Sequence, residues 1–211
     1  MNYTTLVADT STAGSIKNAI NYGRIDAEGI LEEAQAWIYQ RLRVRQMVAA
    51  ENVTIADEAT TASFPTGYLD PIHLGIPGYV NTIRLKDAEW FRSHLGWDES
   101  AALPEGTPTY WCDIGTTIQF NTKADQAYTA KMVFFKKPTA LSADNLTNWL
   151  TDRYPSLVRR VCLMFAAEAR KEWDAMDRAE IRALQTIDEI KVESDLAMRG
   201  LELDFGWEEN P

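Results

Sequence analysis

The chain has 211 residues, of which 45% are hydrophobic and 25% charged, a balance typical of globular proteins rather than disordered ones. No apolar run approaches the roughly 20 residues that cross a bilayer, and the N-terminus shows no secretory signal pattern. The 31 acidic and 21 basic side chains give a net charge of −10. This charge argues against binding nucleic acid through a basic surface, while an acidic wall suits a conduit that must not hold DNA.

The first 50 residues predict helices. A short helix is expected over residues 11–22, started by Ser11 or Thr12, and a clearer one follows Asp26 as N-cap. In the second helix Glu32, Glu33 and Gln35 are expected to face away from the core. The core-facing stripe of this helix comprises Ile30, Ala34, Trp37, Ile38 and Leu42.

Residues 51–138 change to a β-rich pattern punctuated by Gly and Pro. Strands are expected over residues 52–64 and 78–87, followed by two short strands about Gly115. A further strand over residues 127–137 alternates apolar and polar residues. Residues 87–97 predict one short helix capped by Asp87, and the region as a whole predicts a small antiparallel β-sheet domain.

After residue 138 the pattern becomes helical again, with Pro155 at the first position of a helix. Residues 156–198 predict either one helix of about 64 Å, at 1.5 Å per residue, or two helices, the second starting at an Asp177/Glu180 capping box. Gly200 is expected to end the helical region. An extended tail over residues 200–211 then alternates four large apolar side chains with acids and a glycine: Leu201, Leu203, Phe205 and Trp207.

The fold class predicted is therefore α+β, with a helical bundle, a long C-terminal helical region, an inserted small antiparallel sheet domain and an extended tail. The expected divisions are 1–50 for the N-terminal helices and 51–138 for the β-rich insertion. Residues 139–199 complete the helical bundle and residues 200–211 form the tail.

The sequence contains no recognisable catalytic set. His73 and His94 have no second ligand at metal-binding spacing, and there is no nucleophile elbow, phosphate-binding loop or dinucleotide fingerprint. Cys112 and Cys162 are interpreted as reduced thiols. We therefore expect no enzyme activity, no cofactor and no metal, although a carboxylate pair from distant segments stays open.

Two features predict protein contacts instead. Seven Trp and eight Tyr residues exceed what a core needs, and such residues are enriched at interfaces. The C-terminal helical region is strongly charged, with 13 acidic and six basic residues from Glu168 to the end, hence −7 of the net −10. It is either a solvated face of a monomer or a surface that packs on copies of itself, with Arg178, Arg182 and Lys191 meeting acids of a neighbour.

The segment "FFKKPTALSADNLTNWLTDRYPSLVRRVCLMFAAEA" resembles the head-to-tail adaptor (connector) proteins of tailed bacteriophages. In that family a strand ending near Pro leads to Leu-Ser, an Asn-Trp-Leu element and a Pro-initiated helix. The matching positions are Pro138, Leu141, Ser142, Thr147, Asn148, Trp149, Leu150, Pro155 and Leu157. The order of elements is similar over about residues 15–198.

The resemblance implies a structural protein of the virion neck, assembled in the host cytoplasm. Such adaptors form a ring, commonly of twelve copies, under the portal protein. They extend the channel through which DNA passes without specific binding and carry tail or nozzle proteins, with no membrane involved. The resemblance also implies that the C-terminal tail docks on the portal through Leu201, Leu203, Phe205 and Trp207, whereas the alternative is a tail folded onto its own core.

Two other interpretations remain at this point. One is another neck or tail component, such as a head-completion or tail-terminator protein. The other is a virion-associated cell-wall hydrolase that uses distant carboxylates. Position in the particle and turnover of peptidoglycan would separate them from the adaptor.

Overall fold

The computed structural model describes residues 2–7, 26–79, 82–95 and 103–202. The chain divides into two compact units, one formed by Met1–Met47 with Pro138–Pro211 and the other by Val48–Lys137. The first unit is helical and the second is mainly β-sheet. The predicted α+β class, with a long C-terminal helix and an antiparallel sheet, is confirmed.

The described residues form six α-helices and seven β-strands. The helices are α1 (Tyr3–Val7), α2 (Ala27–Arg41), α3 (Ala88–Leu95), α4 (Trp149–Arg153), α5 (Pro155–Ala169) and α6 (Trp173–Glu202), and a 3-10 turn spans Arg45–Met47. The strands are β1 (Val48–Ile55), β2 (Thr61–Ser63), β3 (Tyr68–Gly75), β4 (Arg84–Leu85), β5 (Tyr110–Ile114), β6 (Thr117–Phe120) and β7 (Tyr128–Lys136).

Helix α2 begins where the sequence predicts, because the Asp26 carboxylate accepts a hydrogen bond from the Glu28 backbone N–H at 3.0 Å. Ile30, Ala34 and Ile38 are buried on its core face. The expectation that Gln35 faces solvent is wrong, since Gln35 is only 3% exposed. Its amide serves as a hydrogen-bonding group inside the helical unit, which an amphipathic pattern cannot reveal.

The C-terminal helical region consists of two helices, α5 and α6, rather than one. The chain turns at residues 170–172, where Lys171 adopts the left-handed conformation with φ of 61°. The predicted start at Asp177 is wrong, because α6 already begins at Trp173. Its 30 residues extend about 45 Å at 1.5 Å per residue.

Helix α6 also continues past Gly200, so the prediction that this glycine ends it is wrong. A single glycine costs a helix only about 1 kcal/mol, and a long helix tolerates that cost. Leu201 is consequently helical, not part of an extended strand. The predicted helix over residues 11–22 and the tail residues 203–211 lie outside the described residues.

The described residues of the β-rich unit form two sheets. One has the order β1-β7-β3 and is antiparallel throughout; the other has the order β2-β6-β5-β4, in which only the short β4–β5 pairing is parallel. Central strand β7 buries Tyr128, Ala130, Met132 and Phe134 on one face, as its alternation predicts. The β5–β6 hairpin turns at Gly115, whose φ of 65° suits glycine.

Strand β3 is absent from the predicted strands, and it contains Pro71. The structure places β3 at the edge of the three-stranded sheet, with register irregularities on both sides of Asp70 and Pro71. Proline is tolerated on edge strands and at bulges because no partner strand needs its missing N–H. The segment predicted as a strand over residues 78–87 contributes only the two residues of β4.

Candidate functional site

The motif segment that begins at Pro138 is anchored on helix α2 through the buried Gln35 side chain. The Leu141 backbone N–H donates to Gln35 Oε1 at 2.7 Å, and the Tyr39 hydroxyl lies 3.5 Å from the same oxygen. Leu141 itself is buried. The contact joins residues far apart in sequence, so it fixes how the returning chain meets the N-terminal helix.

Asn148 connects this anchor to helix α4. Its side-chain oxygen accepts from the Thr151 N–H at 3.1 Å, while Thr151 Oγ1 accepts from the Asn148 N–H at 3.0 Å, which together form a capping box. Its amide nitrogen donates to the Tyr39 hydroxyl at 3.1 Å. Burial raises the pKa of Tyr39 to about 12, although the hydrogen bond from Asn148 opposes the shift.

The other motif residues also have structural roles. Ser142 Oγ accepts from the Asn145 N–H at 3.1 Å and closes the turn before α4. Leu150 is buried, and Pro155 opens α5 at a position where no N–H is required. Trp149 contacts Tyr154 edge to face at 6.2 Å, and its indole nitrogen has no hydrogen-bond partner among the described residues.

The long helix α6 is fixed within the helical unit by polar contacts along its length. Arg160 on α5 donates to Thr186 Oγ1 at 2.5 Å and to the Arg182 carbonyl at 3.3 Å. Further along, the Ser194 hydroxyl accepts from the Arg45 N–H at 2.9 Å. Glu193 accepts from the Tyr154 hydroxyl at 2.8 Å. These contacts orient α6 and so determine which side chains it exposes.

Of the three cations predicted to contact a neighbouring copy, the structure brings two together. Arg178 and Arg182 line one cleft between α5 and α6, whereas Lys191 does not line it. Glu193, one of the acids near the far end of α6, is already engaged by Tyr154 and by Arg153 at 3.7 Å. The role of these cations in assembly stays a prediction.

Of the four predicted tail residues, only Leu201 lies in the described part of the chain, in the last turn of α6. Leu203, Phe205 and Trp207 lie outside it. The docking role of these four residues stays a prediction.

The described residues hold no group of three or more His, Cys, Asp or Glu side chains placed to bind a metal. His94 stacks on Trp90 at 4.4 Å on α3, and His73 lies in β3. Both cysteines are buried and unpaired. None of the described helices is long and apolar enough to span a membrane.

Comparison with known proteins then gives the family. The family model described as SU10 adaptor protein matches residues 1–202, through both compact units to the end of α6. The chain belongs to the SU10 adaptor protein family. No curated protein matches it. The membership confirms the predicted family and is consistent with a phage head-to-tail adaptor.

An adaptor family implies a structural protein of the phage particle, placed at the virion neck and associated with portal and tail proteins. In this adaptor the motif side chains hold α2 and α4 together. Sequence reasoning identified Asn148 and Leu141 but missed their partners Gln35 and Tyr39. A buried glutamine among apolar positions of α2 gives no sequence signal of its own.

Proposed function

We propose that this adaptor forms a ring, of twelve copies, on the portal of its phage, extends the DNA channel and carries the tail proteins. The observation that carries the proposal is the family match over residues 1–202, which includes every described element. The net charge of −10 supports a channel that does not retain DNA.

The proposal includes a docking role for the C-terminus. In the sequence, Leu203, Phe205 and Trp207 follow Leu201 as large apolar residues at alternate positions, accompanied by Asp204, Glu208 and Glu209. Apolar side chains at alternate positions suit strand addition or insertion into a groove of the portal. Burying them contributes several kcal/mol at about 25 cal/mol per Å², before the cost of ordering the segment.

Co-sedimentation of the adaptor with portal rings from the same phage tests the function. We expect saturation at one adaptor per portal subunit, with a portal-free sample as the control for self-sedimentation. Folded adaptor that leaves the portal unoccupied would refute the proposal and favour a head-completion or tail-terminator position. A parallel peptidoglycan assay should show no turnover.

A chain that ends at Glu202 tests the docking role separately. We expect it to keep its helical circular dichroism and to lose portal binding. A matched pair of full-length variants distinguishes apolar from charged contributions: L203S/F205S/W207S should lose binding, and E208Q/E209Q should keep most of it. Unchanged affinity of the shortened chain would show that the portal contact lies elsewhere.

A further inference from the structure

The hairpin of α5 and α6 carries a basic cleft of about 420 Å³. We define the basic cleft by Arg160, Leu163, Arg170, Arg178 and Arg182, which surround a floor of alanines. Arg160 is bonded to Thr186 and Arg170 is paired with Glu172 at 2.6 Å. Arg178 and Arg182 are exposed, and their guanidinium groups form no ion pair with an acid of the described ranges.

Farther along α6, an acidic apolar stripe faces solvent. We define this stripe by Asp188, Glu189, Val192 and Leu196, which line one shallow surface depression. Val192 is 58% exposed and Leu196 63% exposed, while Ile187 and Ile190 on the opposite side of the helix are buried. Val192 and Leu196 are one helical turn apart, so their exposed side chains form one short apolar strip beside Asp188 and Glu189.

The two surfaces cannot meet within one copy, because both lie on the same helix and are separated along its axis. Their charges are opposite, and each surface repels its own duplicate. Leu163 at 38% exposure and the aliphatic parts of the arginines give the cleft apolar surface to cover Val192 and Leu196. A contact between unlike surfaces of identical copies is heterologous and closes into a ring when the rotation allows.

We infer that the basic cleft of one copy binds the acidic apolar stripe of the next copy. This contact supplies the subunit interface of the proposed ring and so rests on the proposed function. Arg178 and Arg182 pair with Asp188 and Glu189 of the neighbour, and Val192 and Leu196 cover the floor of the cleft.

Disulfide cross-linking between two variants, each with one added cysteine, tests the contact. R182C and V192C are mixed at high concentration in solution and, separately, on portal rings; Cys112 and Cys162 are buried and serve as the unreactive background. We expect dimers of R182C with V192C and few dimers within either variant alone. Equal cross-linking within one variant, or none in both settings, overturns the inference.

Charge exchange provides an independent measurement. R178E/R182E and D188R/E189R should each weaken self-association about tenfold or more, because like charges then face each other. The variant that carries all four changes should recover association with itself and should not mix with the natural chain. If the variant with all four changes keeps its helical content but does not recover self-association, the proposed charge pairing is overturned.

These measurements separate the inference from the proposed function. If the variants cross-link in solution but the chain does not bind the portal, the interface is supported and the adaptor role is refuted. If the adaptor occupies the portal fully but the cross-link does not form, the adaptor role is supported and the interface is overturned. An R182C/W207C variant tests whether the chain's own C-terminus occupies the cleft. A disulfide that forms mainly within one chain of this variant would show that it does, and would also overturn the inference.

Discussion

Replacing Asn148 by Ala should destabilise the helical unit by about 2 kcal/mol. The change removes the cap of α4, which contributes about 1 kcal/mol. It also removes the hydrogen bond to the buried Tyr39 hydroxyl at 3.1 Å, which contributes about 1 kcal/mol more. The bond from Asn148 to the Thr139 carbonyl is exposed and adds little.

Urea unfolding followed by circular dichroism at 222 nm measures this loss, because most of the helices belong to the unit that contains Asn148. The matched control is N52A, an exposed asparagine on β1, which should change stability by less than about 0.5 kcal/mol. Thermal unfolding should show N148A lower in Tm by about 4–8 °C. Equal stabilities of N148A and N52A would refute the capping argument.

A double-mutant cycle isolates the bond between Asn148 and Tyr39. N148A and Y39F remove the same hydrogen bond, so the double variant should lose less stability than the sum of the two, by about 1 kcal/mol. Strict additivity would mean that the bond contributes nothing.

Two further predictions concern ionisation and backbone geometry. Burial raises the pKa of Tyr39 from 10.0 in the unfolded chain to about 12 in the folded protein. The neutral phenol therefore contributes fully to the unfolding free energy below pH 10, and about 3 kcal/mol of that free energy is lost as the pH rises through 12. Urea unfolding at pH 8 and 11.5 should show that Y39F loses less unfolding free energy at the higher pH than the natural protein does. G115A should lower the unfolding free energy of the β-rich unit by about 1–2 kcal/mol, because residue 115 has a left-handed backbone and an added Cβ meets nothing within 4 Å. Unfolding followed by Trp111 fluorescence measures this loss. An unchanged unfolding free energy would refute the backbone strain.

Elements with strong periodicity were predictable from sequence, whereas those governed by tertiary contacts were not. The alternation in β7 and the cap of α2 act locally, so the sequence displays them directly. The turn between α5 and α6 has no Gly or Pro, because Lys171 takes the left-handed conformation that glycine usually provides. Pro71 is compatible with a strand only because β3 lies at the edge of its sheet, and the sequence does not reveal that edge position.

The same distinction holds for the motif and for the assembly surface. The sequence displayed Leu141 and Asn148, but their partners on α2 are more than 100 positions away, at separations of 106 and 109 residues. It also marked Arg178 and Arg182 as contact residues without the cleft that groups them. Only the packing of α5 on α6 separates these two from Lys191.

The structure also predicts that stability and assembly respond to different substitutions. The motif side chains Leu141, Asn148 and Leu150 are directed into the helical unit, where they hold α4 and α5 in place. Arg178, Arg182 and Val192 are exposed and contribute little to that packing. N148A, introduced into the R182C and V192C variants, should therefore lower the unfolding free energy while folded molecules still cross-link. R178E/R182E should unfold at the natural urea concentration while associating about tenfold or more weakly. If both variants lost assembly in proportion to their loss of unfolding free energy, this separation would be contradicted. Assembly would then depend only on how much of the helical unit is folded.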